Sequence, residues 1–172
     1  MAKRNIPKLE IQPLTKRSFS SFGTVIETKG AREISINQGT TKRFDAISDV
    51  DVGEAGGRPI ISMFRANCRP NPIEIHLLER HPLGSQAFIP LSQHDWLVVV
   101  AHCNKFGDAP DFSTLVCFKA SGDQGVSYAR GTWHHPLIIL QKAQDFLVID
   151  RQGEGHNLDE VWHEGPAAIV QP

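Results

Sequence analysis

Short strand-like segments separated by turns are the feature of this sequence that most restricts its fold. About eight or nine such segments follow one another, with turn signals about every 8–12 residues. They include Ile60–Ala66, Gln86–Pro90 and Trp96–His102, whereas few stretches have a helical pattern. This arrangement favours antiparallel β-structure over an α/β fold. The sequence therefore predicts a mainly all-β protein, an antiparallel β-barrel or jelly roll with few short helices.

The length and the charge of the chain limit its organisation and its partners. A chain of 172 residues fits a single domain, so we expect one domain over residues 1–172, with residues 1–8 and about 155–172 as peripheral tails. The net charge is −1, which argues against nucleic acid as a partner. The longest apolar run, Trp96–Ala101, is too short to cross a membrane.

Cysteine usage and the N-terminal sequence bear on the compartment. The three cysteines are an odd number without a C-x-x-C pair, which argues against a disulfide framework. The first residues are mixed and polar and lack the apolar region of a signal peptide. We therefore expect a cytoplasmic protein.

Two charged residues, Glu79 and His81, end a segment that begins as an alternating strand. Alternation counted from Ile73 places Ile73, Ile75, Glu79 and His81 on one face. Because that face begins apolar, we expect it to point into the barrel and to carry Glu79 and His81 inward at the strand end. Buried charges need partners, so a metal ion, a substrate or another side chain is expected beside them.

A second group of polar residues lies in the segment GVSYARGTWHHPL, residues 125–137. Neighbouring residues on a strand face opposite ways, so at most one of His134 and His135 can join an inner site. The spacing of these segments resembles that of the cupin superfamily. The positions that match its two motifs are Glu79, His81 and Gln86, followed by Gly131-x-x-His134. These four side chains could hold a divalent metal ion, although Gln is a weak ligand.

Longer strings carry a closer resemblance. IHLLERHPLGSQAFIPL, DFSTLVCFKASGDQGVSYARGTWHHPL and DFLVIDR are similar to segments of the ureidoglycolate lyase family, as are FGTVIE and INQGTTKRF. The resemblance runs from about residue 9 to residue 151. It implies a cupin-like fold, a homodimer, an association with nickel, and cleavage of ureidoglycolate to glyoxylate and urea in purine breakdown.

The resemblance also suggests roles for particular residues. Such a reaction needs a base, an acid and a cation for the substrate carboxylate. We expect catalytic roles for His81, Glu79 and His134. The expected substrate-binding residues are Gln86, Arg43, Arg65 and Asn37, with an arginine for the carboxylate and an amide for the ureido group.

The residues alone leave other functions open. A non-catalytic cupin-type module that binds a small carboxylate would also tolerate the changed ligand types. A divalent-metal cupin oxygenase or isomerase would fit the retained spacing.

Overall fold

The computed structural model describes residues 6–172, of which strands make up most of the regular structure. Strands account for 47% of the residues and helices for 8%, which confirms the predicted all-β, cupin-like fold. One short α-helix (Lys16–Phe19) is capped by Thr15, whose hydroxyl accepts a hydrogen bond from the Ser18 N–H. The strands are β1 (Ile11–Pro13), β2 (Gly23–Ile26), β3 (Arg32–Ile36), β4 (Thr41–Asp45), β5 (Arg58–Asn67), β6 (Ile73–Ile75), β7 (Leu77–Arg80), β8 (Gln86–Pro90), β9 (Trp96–Ala101), β10 (Val116–Ala120), β11 (Gly125–Tyr128), β12 (Trp133–His134), β13 (Ile138–Ile139), β14 (Ala143–Gln152), β15 (Asp159–Trp162) and β16 (Ala168–Val170).

Two main sheets face each other. One has seven strands in the order β1-β10-β9-β12-β7-β15, with β13 also paired to β9. The other has five strands in the order β2-β11-β8-β14-β5. Two smaller pairs, β16 with β6 and β3 with β4, complete the structure. Within the described residues no helix is long and apolar enough to cross a membrane.

The main core fills the space between the two sheets. Strand β9 contributes Trp96, Val98 and Val100, which alternate with residues on the opposite face of the same strand. The five-stranded sheet contributes aromatic side chains, including Phe146, whose ring lies edge-on to Trp96 at a centroid distance of 4.9 Å. The site described below lies where this interior becomes polar.

A second core lies on the other face of the seven-stranded sheet. Its composition shows that the alternation expected for residues 73–81 was wrong. Ile73 and Ile75 pack there against Leu97 and Val99, not in the main interior. The strand is interrupted at His76, between β6 and β7, and the interruption reverses the facing of the side chains. Glu79 still points into the barrel, but it does so on the face opposite to Ile75.

The C-terminal residues contribute more to the sheets and to the buried core than expected. Residues from about 155 onward were predicted to be a peripheral tail, yet β15 pairs with β7 and β16 pairs with β6. Ala168 and Val170 are buried. The predicted N-terminal tail falls partly on residues 1–5, which lie outside the described residues. Lys8 forms a β-bridge with Ile169.

Candidate active site

Three side chains from the seven-stranded sheet converge at the polar end of the barrel interior. Glu79 on β7 and His134 on β12 are direct partners across the two strands, and His81 follows the end of β7. One ligand atom from each of the three residues lies within 4.8 Å of the others. His134 is buried, and Glu79 and His81 are partly buried. The structure thus brings together residues from two segments that are about fifty residues apart in the sequence.

Backbone carbonyls fix the orientation of both imidazoles. The Nδ1–H of His81 donates to the Asn157 carbonyl at 2.8 Å, and the Nδ1–H of His134 donates to the Thr132 carbonyl at 2.8 Å. The Nε2 atom of each neutral ring therefore carries a lone pair, and that of His134 is buried without a hydrogen-bond partner. Metal-binding histidines are held in this way, with one nitrogen on a carbonyl and the other free.

The charges at the site follow from its burial and its neighbours. Burial acts to raise the pKa of the Glu79 carboxyl, but His134, His81 and His135 together lower the pKa below its usual value. Burial, reinforced by His134, lowers the pKa of His81 against the opposing effects of Asn157 and Glu79. An ionised carboxylate beside a neutral imidazole is the expected state at neutral pH, and both groups can then bind a cation or accept a proton.

The five-stranded sheet closes the site from the opposite side. The ring of Tyr128 stacks on His134 at a centroid distance of 4.0 Å, and burial raises the pKa of its hydroxyl far above the usual value. Gln86 is buried, with its Oε1 3.1 Å from the His81 Nε2. The predicted quartet of Glu79, His81, Gln86 and His134 therefore lies in one place.

A cavity of about 500 Å³ opens beside Glu79. Its wall includes the aromatic side chains of Phe64 and Phe88 and the polar side chains of Asn67 and Arg69. This volume falls within the ordinary range for small-molecule sites, and the apolar walls with a few polar groups are typical of them. The polar groups favour a small charged substrate.

Arg69 lines this cavity and has no ion-pair partner among residues 6–172, so its charge is available to a ligand. None of the ion pairs formed by residues 6–172 includes Arg69. Burial lowers the pKa of its guanidinium and the charge of Glu79 opposes that shift. An unpaired guanidinium beside a cavity is suited to bind a carboxylate through two hydrogen bonds.

The other predicted substrate-binding residues are placed differently. Arg65 borders the cavity, but its guanidinium forms a bidentate ion pair with the Asp145 carboxylate, at 2.7 and 2.8 Å. Arg43 pairs with Asp45, and Asn37 donates a hydrogen bond from its side chain to Thr41. Both belong to the hairpin formed by residues 32–45.

That hairpin stands apart from the site within one chain. Its strands β3 and β4 pair only with each other among the residues that the structure describes. Neither Arg43 nor Asn37 lines the cavity beside Glu79. The prediction that they bind substrate therefore has no support from the geometry of a single chain.

Sequence reasoning missed two residues at the site. Arg69 follows the end of β5 in an irregular segment, where alternation gives no information about facing. Asp150 lies on β14 and alternates with Phe146 and Val148, both of which are buried in the main core. This alternation was a usable signal for an inward carboxylate next to Gln86.

Known proteins are similar to this chain over most of its length. The family model described as ureidoglycolate lyase matches residues 6–170. The chain belongs to the ureidoglycolate lyase family. Proteins named ureidoglycolate lyase from Burkholderia mallei and Pseudomonas syringae pv. syringae are 53% identical over 152 residues and 50% identical over 166 residues. The first alignment covers 88% of this chain and 87% of the relative, and the second covers 96% of each.

A third relative extends the same result. The ureidoglycolate lyase of Pseudomonas putida is 49% identical over 152 residues, which is 88% of this chain and 89% of the relative. All of the residues that meet at the site lie within residues 6–170, the part matched by the family model. The candidate site is therefore part of the region shared with the lyase family.

Proposed function

We propose that this protein is a ureidoglycolate lyase, which eliminates urea from ureidoglycolate to give glyoxylate during allantoin and purine breakdown. The observation that carries the proposal is the convergence of Glu79, His81 and His134 beside a cavity that also presents Arg69. Family membership supports the same activity. A small substrate with a carboxylate and several hydrogen-bonding groups suits this mixture of charged and apolar walls.

The reaction requires two proton movements and no added water. Ureidoglycolate carries a carboxylate, a hydroxyl and a ureido nitrogen on one carbon. When the hydroxyl loses its proton, the electrons of the O–H bond form the carbonyl of glyoxylate. The C–N bond breaks, its electron pair leaves with the ureido nitrogen, and that nitrogen takes up a proton to give urea. One proton is removed and one is added, so the reaction is balanced.

A divalent metal ion fits the three converging side chains. The buried Nε2 of His134 lacks a partner, the Nε2 of His81 carries a lone pair, and the Glu79 carboxylate supplies the negative charge. Two imidazoles and a carboxylate are a common set of ligands for nickel, zinc and related ions, and the resemblance of the sequence implies nickel. Gln86 is close enough to His81 to complete the set. Bound there, such an ion would polarise the substrate hydroxyl and lower its pKa.

The protein itself moves the proton and orients the substrate. A carboxylate oxygen of Glu79 accepts the hydroxyl proton. Because the surrounding imidazoles lower the pKa of Glu79, its protonated form is a strong acid and passes the proton readily to the departing nitrogen. Without a metal ion, the Nε2 of His81 would be the alternative base. The Arg69 guanidinium binds the carboxylate, and the Gln86 amide contacts the ureido group.

Product analysis tests the proposed function. The purified protein is incubated with ureidoglycolate, and urea, glyoxylate and ammonia are measured separately. Urea that appears in step with glyoxylate is the expected result. Ammonia without urea would indicate an amidohydrolase and overturn the proposal. Tight binding without any product would instead favour a non-catalytic carboxylate-binding module, and substrate oxidation or isomerisation would favour a metal-dependent cupin of another class.

We also propose that the protein is a homodimer, built through an outer apolar face of the five-stranded sheet. This face consists of Ile61, Met63, Ile89, Leu147 and Ile149, which alternate with inward-facing residues along β5, β8 and β14. Met63, Leu147 and Ile89 form a row across the three strands. Ile61 is 70% exposed and Met63 is 59% exposed. A contiguous apolar face of this kind on a sheet is usually covered.

A second copy of the chain is the occupant that this face fits. The face is nearly free of charge, since the Arg65 and Asp145 side chains at its border neutralise each other. It can therefore meet its own copy about a two-fold axis without like-charge repulsion. Contacts along the edge strand β5 would add to the buried surface. Stable complexes bury about 800 Å² per partner.

Light scattering after size-exclusion chromatography tests the dimer. We expect twice the chain mass of 19.1 kDa for the wild type and a monomer for the double variant Ile61→Glu, Met63→Glu. Phe106→Glu is the matched control, because Phe106 is 75% exposed and lies outside this face. A monomeric wild type, or a double variant that dimerises as the wild type does, would overturn this interface.

A cytoplasmic location is the last part of the proposal. Cys68 and Cys103 are free and exposed, and exposed thiols persist in a reducing compartment. Cell fractionation with an antibody to the protein tests this location, and recovery in an oxidising compartment would contradict it.

A further inference from the structure

Asp150 is a carboxylate on the inner face of the barrel that the proposed chemistry does not use. It lies on β14, where Phe146 and Val148 point into the main core, and it continues their alternation. Its Oδ1 atom is buried and has no hydrogen-bond partner. A buried carboxylate oxygen without a partner is costly, so its retention next to the site calls for an explanation.

The strand register places Asp150 against Gln86. Ala87 pairs with Ile149 across β8 and β14, so the next residue on each strand, Gln86 and Asp150, face each other on the inner side of the sheet. Burial raises the pKa of the Asp150 carboxyl, whereas the Gln86 side chain and the charge of His81 act to lower it. Gln86 and Asp150 are therefore cross-strand neighbours on the inner side of the sheet.

Gln86 connects this carboxylate to the other sheet. Its Oε1 lies 3.1 Å from the Nε2 of His81, which follows β7 of the seven-stranded sheet. Because both atoms are acceptors when the His81 ring is neutral, this contact is favourable only with a proton or a cation between them. A glutamine amide has several rotamers and two orientations that differ by a half turn. An amide that must present one orientation to a ring nitrogen or to a substrate needs a second contact, and Asp150 is placed to supply it.

We propose that Asp150 is a positioning residue that holds the Gln86 amide in one orientation against His81 and the ureido group of the substrate. The proposal rests on the proposed function for its substrate. Asp150 itself does not touch the reacting atoms, so its effect on catalysis passes through Gln86. It acts as a hydrogen-bonding partner of fixed position, and a neutral side chain of the same shape can replace it.

A double-mutant cycle on the full-length protein tests this role. The variants are Asp150→Ala, Gln86→Ala and the double variant, with kcat and KM measured for ureidoglycolate. We expect each single variant to lower kcat/KM by about 10- to 100-fold, and the double variant to be no worse than Gln86→Ala. Asp95→Ala is the matched control, because the Asp95 carboxylate pairs with Lys119 and does not line the cavity beside Glu79.

Two further measurements separate positioning from other effects. Asp150→Asn keeps the shape and a hydrogen-bonding group, so it should retain activity within a few-fold of the wild type and should fold even if Asp150→Ala does not. Effects that multiply in the double variant, or an Asp150→Asn variant as impaired as Gln86→Ala, would overturn the proposal.

The proposal can be tested independently of activity on ureidoglycolate. The ¹⁵N signal of the His81 Nε2 should shift by the same amount in Asp150→Ala as in Gln86→Ala. A His81 signal that is unchanged in Asp150→Ala would overturn the positioning role. Absence of urea production by the wild type would overturn only the proposed function.

Discussion

The Nε2 atom of His134 lies 3.5 Å from the Oε1 atom of Glu79, and no hydrogen is available to join them when the imidazole is neutral. The Nδ1–H of His134 is already donated to the Thr132 carbonyl, so its Nε2 is an acceptor facing another acceptor. Two buried acceptors repel each other unless a proton or a cation lies between them. This relationship is the clearest mark of function in the molecule, and the first prediction follows from it.

Divalent metal ions should stabilise the folded protein through this site. In protein freed of metal by a chelator, nickel at about 100 times its dissociation constant should add about 2.7 kcal/mol to the free energy of unfolding. Thermal unfolding with and without the ion measures the effect. The stabilisation should disappear in His134→Ala, and an equal stabilisation in that variant would place the ion elsewhere.

Removal of the His134 imidazole should abolish most of the activity. We expect His134→Ala to lower kcat by about 100-fold or more, because a ligand or proton-transfer group is lost. His76→Ala is the matched control, since that side chain is held only by Glu74 near the surface and does not reach the site. Initial-rate assays compare the two, and a comparable loss in His76→Ala would indicate a general structural effect.

Arg69, and not Arg65, should bind the substrate carboxylate. Loss of a charge-assisted contact in Arg69→Ala should lower kcat/KM by about 10- to 100-fold, mostly through KM. Arg65→Ala should change kcat/KM little, because the Arg65 guanidinium is already paired with Asp145. Steady-state kinetics of the two variants decide between them. A larger effect in Arg65→Ala would restore the expectation drawn from the sequence.

The ion pair of Asp159 with Arg80 should contribute to stability in a pH-dependent way. Arg80 and His156 lower the pKa of the Asp159 carboxyl in the folded protein, with Arg80 the main cause. The contribution is therefore fully present above the unfolded pKa of about 4 and is lost as the pH falls through the lower folded value. Asp159→Asn should cost about 1–2 kcal/mol at pH 7 and less at pH 3, which urea unfolding at the two pH values would measure.

Local patterns predicted much of the fold and the main residues of the site. Strands such as β8 and β9 are recognisable from alternation or from an apolar run, and the segment of Glu79 and His81 was expected at the polar end of an inner face. The route to that expectation was nevertheless wrong, because the strand breaks at His76 and Ile75 belongs to the second core. A break of one residue in a strand cannot be recognised from the alternation of apolar and polar residues in the sequence.

The features that the sequence did not predict depend on distant contacts. Strands β15 and β16 have only four and three residues, and they are strands because β7 and β6 lie beside them. The free charge of Arg69 is likewise a property of what surrounds it, since Arg65 four residues earlier is equally basic but paired. The hairpin of Asn37 and Arg43 could not be excluded from the site without knowing where its strands lie.

The carbonyl that holds the His81 ring belongs to Asn157, seventy-six residues further along the chain. A ribosome that has completed every strand through β14 therefore still carries a protein in which the His81 Nδ1–H lacks its carbonyl partner. The site acquires its working geometry only after Asn157 and β15 have left the exit tunnel and docked on β7. An intact main core is therefore not enough to order His81, because the contact that orients its ring comes from a segment outside that core.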